Sequence, residues 1–114
     1  MYLENSKTII VKIGSSLIIN DKKIIRKKWL LEFAKDIKAL RKKNKNIIIV
    51  SSGAIALGCK KLNITKKKLK IDQSQAVASV GQIELMNLFK EIFAIQKINI
   101  SQILLTLEDT EIRR

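Results

Sequence analysis

The 114-residue chain contains no histidine and no proline, and its only cysteine is Cys59. Without histidine, this segment cannot hold a histidine metal ligand, a Ser-His-Asp triad or a histidine general base. A single cysteine cannot form an internal disulfide or a cysteine metal cluster. Because it follows Gly58 in a predicted helix, we interpret Cys59 as a small buried apolar residue rather than a reactive thiol.

Long hydrophobic runs are also absent. No apolar segment approaches the roughly 20 residues that a membrane-spanning helix needs. Residues 1–5 have neither the basic start nor the apolar stretch of a signal peptide, so we predict a cytoplasmic protein. Hydrophobic residues still make up 46% of the chain, which allows a packed core of the size of one domain.

Acidic residues are scarce, because 10 Asp and Glu stand against 23 Lys and Arg, for a net charge of +13. Residues 1–70 carry 19 basic and 4 acidic residues, whereas residues 71–114 carry 4 and 6. A basic stripe of this kind could follow a nucleic-acid backbone. Nearly all of the charge is lysine, however, and the few aromatic residues are not interleaved with it for base stacking. We therefore interpret the basic clusters as the solvent-exposed faces of helices. The basic clusters are Lys22-Lys23, Arg26-Lys27-Lys28, Arg41-Lys42-Lys43 and Lys66-Lys67-Lys68.

Apolar periodicity predicts alternating strands and helices. Thr8–Ile13 and Ile47–Val50 are apolar without alternation, which predicts strands buried on both faces. Between them, a helix is predicted from Asp21 to Lys43, closed by Asn44-Lys45-Asn46 with an asparagine as a left-handed cap. The apolar stripe of that helix comprises Ile25, Trp29, Phe33, Ile37 and Leu40.

The second half of the chain is predicted to be mainly helical. A short helix spans Ala54–Leu62, and the lysine-rich segment Asn63–Lys70 is a surface loop. Asp72 and Gln75 resemble a capping box that opens a long helix to about Gln96. Small residues in the first half of this helix allow close approach by another helix, within the chain or from another subunit: Ala76, Ala78, Ser79 and Gly81.

A third strand is predicted over Ile98–Thr106, and Thr106 with Asp109 is predicted to open a further helix. The order β-α-β-α-α-β implies parallel strands joined by right-handed crossovers, and hence an α/β fold. Three parallel strands would leave at least one edge unpaired. We therefore expect these residues to be part of a larger domain.

Two glycine turns follow the first two predicted strands: Lys12-Ile13-Gly14-Ser15-Ser16 and Ser51-Ser52-Gly53-Ala54. A glycine at the carboxyl end of a buried strand lets the backbone turn and present N–H groups to an anion, at the edge where open α/β sheets bind ligands. Lys12 is costly to bury unless its ammonium reaches an anion. The first turn has neither Walker A nor dinucleotide-binding spacing. The simpler alternatives are a solvated lysine and a serine N-cap.

These turns carry a resemblance to the amino acid kinase family. Val11–Ser16 is similar to its V-K-[IL]-G-[ST]-S opening, and Ile48–Gly58 to its V-[ST]-S-G-A-I-x-x-G segment. Gln75–Gln82 is similar to a Q-A-x-A-A-V-G-Q helix, and Gln102–Thr106, with Asp109 after it, to a Q-x-L-L-T strand. The second and third motifs are the more specific, and they resemble the members that phosphorylate the side-chain carboxylate of L-glutamate.

The resemblance implies a three-layer α/β/α fold with a parallel sheet core, and ATP-dependent transfer of a phosphoryl group to L-glutamate with Mg²⁺, the first step of proline biosynthesis. By position, Lys12, Gly14 and Ser15 would bind ATP, Lys12 as the catalytic residue, and Ser52 and Gly53 would bind glutamate. Since a carboxylate is already an anionic nucleophile, alignment and charge neutralisation suffice without a general base. Proline as a feedback inhibitor and a homo-oligomer of the full-length protein are also implied.

Members of the family are longer than this chain. The resemblance therefore implies that residues 1–114 are the glutamate-binding part of a single kinase domain, without the nucleotide-binding half and inactive alone. One alternative is another member of the family, similar to acetylglutamate, aspartate or UMP kinases. The others are a small basic nucleic-acid-binding module and a non-catalytic remnant.

Overall fold

The computed structural model describes Asn5 and residues 7–103. Within them lie two strands, four helices and one 3-10 turn. In chain order these are β1 (Thr8–Ile13), α1 (Ser15–Ile18), α2 (Lys27–Lys42), β2 (Asn46–Ser51), α3 (Ala54–Leu62), the 3-10 turn Lys66–Lys68, and α4 (Ile71–Ile95).

The two strands pair in parallel, with Thr8 opposite Asn46 and Ile13 opposite Ser51. Both strands were predicted, and β2 is longer than its prediction by one residue at each end. The parallel arrangement brings their carboxyl ends, and the glycine turns that follow, to the same edge of the sheet. This confirms the α/β class of the described part of the chain.

Only one face of this sheet is buried. Ile13 lies in the core cluster with side chains of α2, α3 and α4. On the opposite face, Ile10 is 68% exposed, and its partner Ile48 is 39% exposed. The prediction of strands buried on both faces is therefore wrong for the described residues, because these three helices pack on the same side of the sheet.

The helix predicted from Asp21 begins instead at Lys27. The intervening loop is organised by Asn20, whose Oδ1 accepts hydrogen bonds from the main-chain N–H groups of Lys22 at 2.9 Å and Ile24 at 3.0 Å. Short polar side chains of this kind offer backbone groups an alternative to helical hydrogen bonding. The apolar periodicity of the sequence could not reveal that competition.

The carboxyl end of α2 follows the prediction more closely. The helix ends at Lys42, and Asn44 adopts the expected left-handed conformation with φ 60°. Its buried face is centred on Leu30, Ala34 and Ile37, whereas the other four residues of the predicted stripe are only partly buried. The buried face differs from the predicted stripe because the neighbouring helices determine which side of α2 is covered.

Helix α3 has the predicted bounds, and Asn63 follows it as the C-cap, with a left-handed φ of 56°. The start of α4 differs from the prediction. The main-chain N–H of Lys70 donates to Oε1 of Gln73 at 3.0 Å, so this single capping hydrogen bond lies two residues before the expected Asp72–Gln75 pair. Residue spacing alone suits either pair, and the local backbone decides between them.

The third strand is not formed over residues 98–103, where the structure shows no strand. Ile98 and Ile100 instead pack against the core. A β-strand forms only where a neighbouring strand can pair with it, and apolar composition alone does not supply that neighbour. Leu104–Thr106 and the helix predicted at Asp109 lie outside the described residues.

Helices α3 and α4 cross at two glycines. A Cβ added to Gly81 would overlap the carbonyl oxygen of Ala54 and lie 2.7 Å from the nitrogen of Gly58. A Cβ added to Gly58 would overlap the carbonyl oxygen of Val77. Gly81, among the small residues of α4, therefore serves close packing within the chain.

Candidate functional site

Lys12 lies near the carboxyl end of β1, on the exposed face of the sheet and opposite Val50. Its side chain is exposed, and the described part of the chain gives it no ion pair or hydrogen-bond partner. The predicted strand-end lysine is therefore present and available to an anion that approaches this edge.

Gly14 is the N-cap of α1, with φ −73° and ψ 157°, a backbone conformation open to any L-residue. The backbone of this turn therefore does not depend on glycine. A Cβ added at Gly14 would meet nothing within 4 Å. The N–H groups of Ser15 and Ser16 begin the helix, where intrahelical acceptors are missing, and the first local bond runs from the Leu17 N–H to the Gly14 carbonyl at 3.1 Å. The turn therefore presents main-chain N–H groups next to the open space beside Gly14.

Gly14→Ala is expected to leave stability within about 0.5 kcal/mol of the wild type, because its methyl group enters open space without backbone strain. If a phosphate group occupies that space, the same methyl group will weaken nucleotide binding. Urea unfolding and the KM for ATP of the whole protein measure the two effects separately. A KM for ATP identical to that of the wild type would argue against a phosphate at this turn.

The second turn carries an exposed Ser52 and a buried Gly53. Gly53 is the N-cap of α3, and the helix has no side-chain capping bond. Its carbonyl accepts the first helical hydrogen bond, from the Leu57 N–H at 3.0 Å. The alternative of a serine N-cap is therefore wrong. The Ser52 hydroxyl has no hydrogen bond to other described residues and is available to a ligand.

The helix that follows the first turn packs against the second turn. A Cβ placed on Gly53 would lie 3.0 Å from Cδ1 of Ile18, the last residue of α1, and 3.6 Å from Cδ1 of Leu85. The structure thus brings the Lys12 turn and the Ser52 turn together through Ile18. Sequence analysis missed this residue, and its only signal was an apolar run directly after the first turn.

Arg26 is a second cation beside the first turn. Its Nη1 donates to the carbonyl of Ser16 at 3.4 Å, and its main-chain N–H donates to the carbonyl of Ile18 at 2.8 Å. In the sequence this arginine belongs only to a basic cluster. Its position at the first turn depends on the loop that precedes α2.

The basic clusters of α2 do not gather at one place. Arg26–Lys28 and Arg41–Lys43 lie at opposite ends of α2, about 20 Å apart at 1.5 Å per residue. Lys27 pairs with Glu91 at 3.1 Å, and Lys61 lies 3.7 Å from Glu84. These exposed pairs connect helices and contribute about 0–1 kcal/mol each.

Cys59 is buried, as predicted, and forms no disulfide. Among the described residues, no group of three His, Cys, Asp or Glu side chains could hold a metal ion. We therefore assign no residue to Mg²⁺. In the same part of the chain, no helix has both the length and the apolar character that crossing a membrane requires.

Comparison with known proteins extends these observations. Residues 7–114 match the family described as the amino acid kinase family. Over 114 residues the chain is 75% identical to the glutamate 5-kinase of Pelagibacter ubique (strain HTCC1062), covering all of this chain and 31% of that protein. It is 43% identical over 113 residues to the glutamate 5-kinase of Ruegeria sp. (strain TM1040), covering 98% of this chain and 31% of that protein. The chain thus spans less than a third of the length of these relatives.

Proposed function

Since the chain belongs to the amino acid kinase family, we propose that the whole protein phosphorylates the side-chain carboxylate of L-glutamate with ATP, giving L-glutamyl 5-phosphate for proline biosynthesis. The observation that carries this proposal is that the Lys12 turn and the Ser52 turn follow two paired parallel strands and lie at one edge of the sheet. Within the described residues, Lys12 of the first turn has no ion pair, and the hydroxyl of Ser52, just before α3, has no hydrogen bond. The names of the relatives support glutamate as the acceptor.

Lys12 is the proposed catalytic residue, and its ammonium contacts the phosphates of ATP. Negative charge is spread over the transferring group during phosphoryl transfer, and a fixed cation stabilises it. The N–H groups of Gly14 and Ser15 bind the same phosphates. The open space at Gly14 supports this assignment, because a phosphate can approach the backbone there.

Ser52 and Gly53 are the proposed glutamate-binding residues. The Ser52 hydroxyl donates to the substrate, and the N–H groups at the start of α3 favour negative charge because they lie at the positive end of the helix dipole. These contacts hold a carboxylate oxygen, already ionised, toward the phosphorus atom. Alignment can supply much of the rate enhancement in such a reaction. Mg²⁺ neutralises phosphate charge in reactions of this class.

Ser52→Ala provides the test of the acceptor site. Loss of one hydrogen bond to a charged group corresponds to about 1.5–3 kcal/mol, so the KM for L-glutamate should rise roughly 10- to 100-fold while the KM for ATP stays unchanged. The assay traps the acyl phosphate formed by the whole protein with hydroxylamine. Ser79→Ala is the matched control, since Ser79 is exposed on α4 and its hydroxyl donates to the Ala76 carbonyl. Equal kinetics for both variants would remove Ser52 from the site.

Acceptor-dependent release of ADP distinguishes glutamate from the substrates of other members of the family, including UMP, whose product hydroxylamine does not trap. L-Aspartate, N-acetyl-L-glutamate and UMP are offered as acceptors, and proline is added as an inhibitor. Turnover of L-glutamate, inhibited by proline, is expected. Turnover of a different acceptor by the wild-type protein would overturn the proposal. A homo-oligomer of the whole protein remains a prediction.

A further inference from the structure

Ile18 occupies the space between the two candidate turns. It is the last residue of α1, its side chain is 0% exposed, and it belongs to the core cluster. An ideal Cβ on Gly53 would lie 3.0 Å from its Cδ1 and 3.8 Å from its Cβ. A methyl group added at Gly53 would therefore fit only if the end of the Ile18 side chain moved away from it.

Ile18 and Gly53 are each in contact with further parts of the fold. The Ile18 carbonyl accepts the main-chain N–H of Arg26 at 2.8 Å, and the next residue, Ile19, donates its N–H to the Ser15 carbonyl at 3.0 Å. On the other side, Leu85 of α4 also lies beside Gly53. Since close-packed interiors transmit small displacements, a change in the Ile18 side chain will alter the spacing of the two turns.

We propose that Ile18 is a positioning residue that sets the distance between the phosphoryl donor at the first turn and the carboxylate at the second. This inference rests on the proposed function. Ile18 touches neither substrate and acts through Gly53. A small change in the Ile18 side chain should have a large effect on the rate. Phosphoryl transfer requires reacting atoms about 3–3.5 Å apart, and a misplacement of about 1 Å can reduce the rate 100-fold.

The first test is Ile18→Val in the whole protein, which removes Cδ1 and keeps the β-branched shape. The kcat for phosphorylation of L-glutamate is expected to fall about tenfold, with both KM values within about twofold of the wild type. Ile92→Val is the matched control, because Ile92 is 1% exposed, belongs to the same core cluster and lies late in α4. Both variants should lower Tm by similar amounts, whereas only Ile18→Val should lower kcat.

The second test combines Ile18→Val with Gly53→Ala. Alone, Gly53→Ala brings its Cβ against Cδ1 of Ile18 and should lower kcat. The double variant removes that atom, so its kcat should exceed that of Gly53→Ala. Additive losses, or equal kcat for Ile18→Val and Ile92→Val, would overturn the positioning role. A wild-type protein that does not phosphorylate L-glutamate would overturn the proposed function itself, so the two failures are distinguishable.

Discussion

Gly81→Ala is expected to destabilise the protein by more than about 3 kcal/mol, beyond the usual 1–3 kcal/mol for an overpacked core. The added methyl group would overlap the carbonyl oxygen of Ala54 and lie 2.7 Å from the nitrogen of Gly58. Both are backbone atoms, so no side-chain rotation can relieve the overlap, and α3 and α4 must move apart. Alanine is the better helix former by about 1 kcal/mol, which is too little to offset that separation.

Urea unfolding of the whole protein measures this loss. Gly14→Ala is the control, because it adds the same methyl group where nothing lies within 4 Å. Gly58→Ala should also be strongly destabilising, since its methyl group would lie 2.7 Å from Cγ1 of Val77 and overlap the carbonyl oxygen of that residue. A loss below about 1 kcal/mol for Gly81→Ala would contradict the close crossing of these helices.

Lys12→Ala is expected to reduce kcat for phosphorylation of L-glutamate by about 10³-fold or more, the range seen when a transition-state cation is removed from a phosphoryl-transfer site. Folding should be unaffected, because the Lys12 side chain is exposed and makes no ion pair within the described residues. The loss is therefore expected in the chemical step and not in stability. Hydroxamate formation and thermal unfolding of the whole protein measure the two quantities.

Lys7→Ala is the control for charge. Lys7 precedes the amino end of β1, about 17 Å from Lys12 along an extended strand, and its side chain is exposed. If the general positive charge of the chain attracts ATP, both variants will lose activity to a similar degree. A loss confined to Lys12→Ala indicates a local contact. Lys12→Arg should restore activity only in part, since a planar guanidinium does not replace a compact ammonium.

The candidate site shows how far local sequence information extends. The two strands, the glycine turns after them and the bounds of α3 followed from apolar runs and glycine positions, and the parallel pairing then placed both turns at one edge. The role of Gly14 in binding ATP stays a prediction, and the structure adds that its backbone conformation is open to any residue and that the space beside it is open. Ile18 and Arg26 were not identified, since neither belongs to a motif.

The errors have a common physical cause. The start of α2 was placed at Asp21 because apolar spacing does not report the hydrogen bonds that Asn20 makes. Burial was expected on both faces of the sheet because an apolar strand does not indicate how many layers cover it. A strand was expected over residues 98–103 because composition does not supply a pairing partner.

The sequence by itself determined the features that depend on neighbouring residues: the type of most elements, the sharp ends at Asn44 and Asn63, and the residue types of the two turns. Only the tertiary structure decided which strand face is covered, that Gly58 and Gly81 form a helix crossing, and that Ile18 joins the two turns. Backbone preference and apolar periodicity act over a few residues. Contacts between distant segments depend on the shape of the packed core, which no short segment encodes.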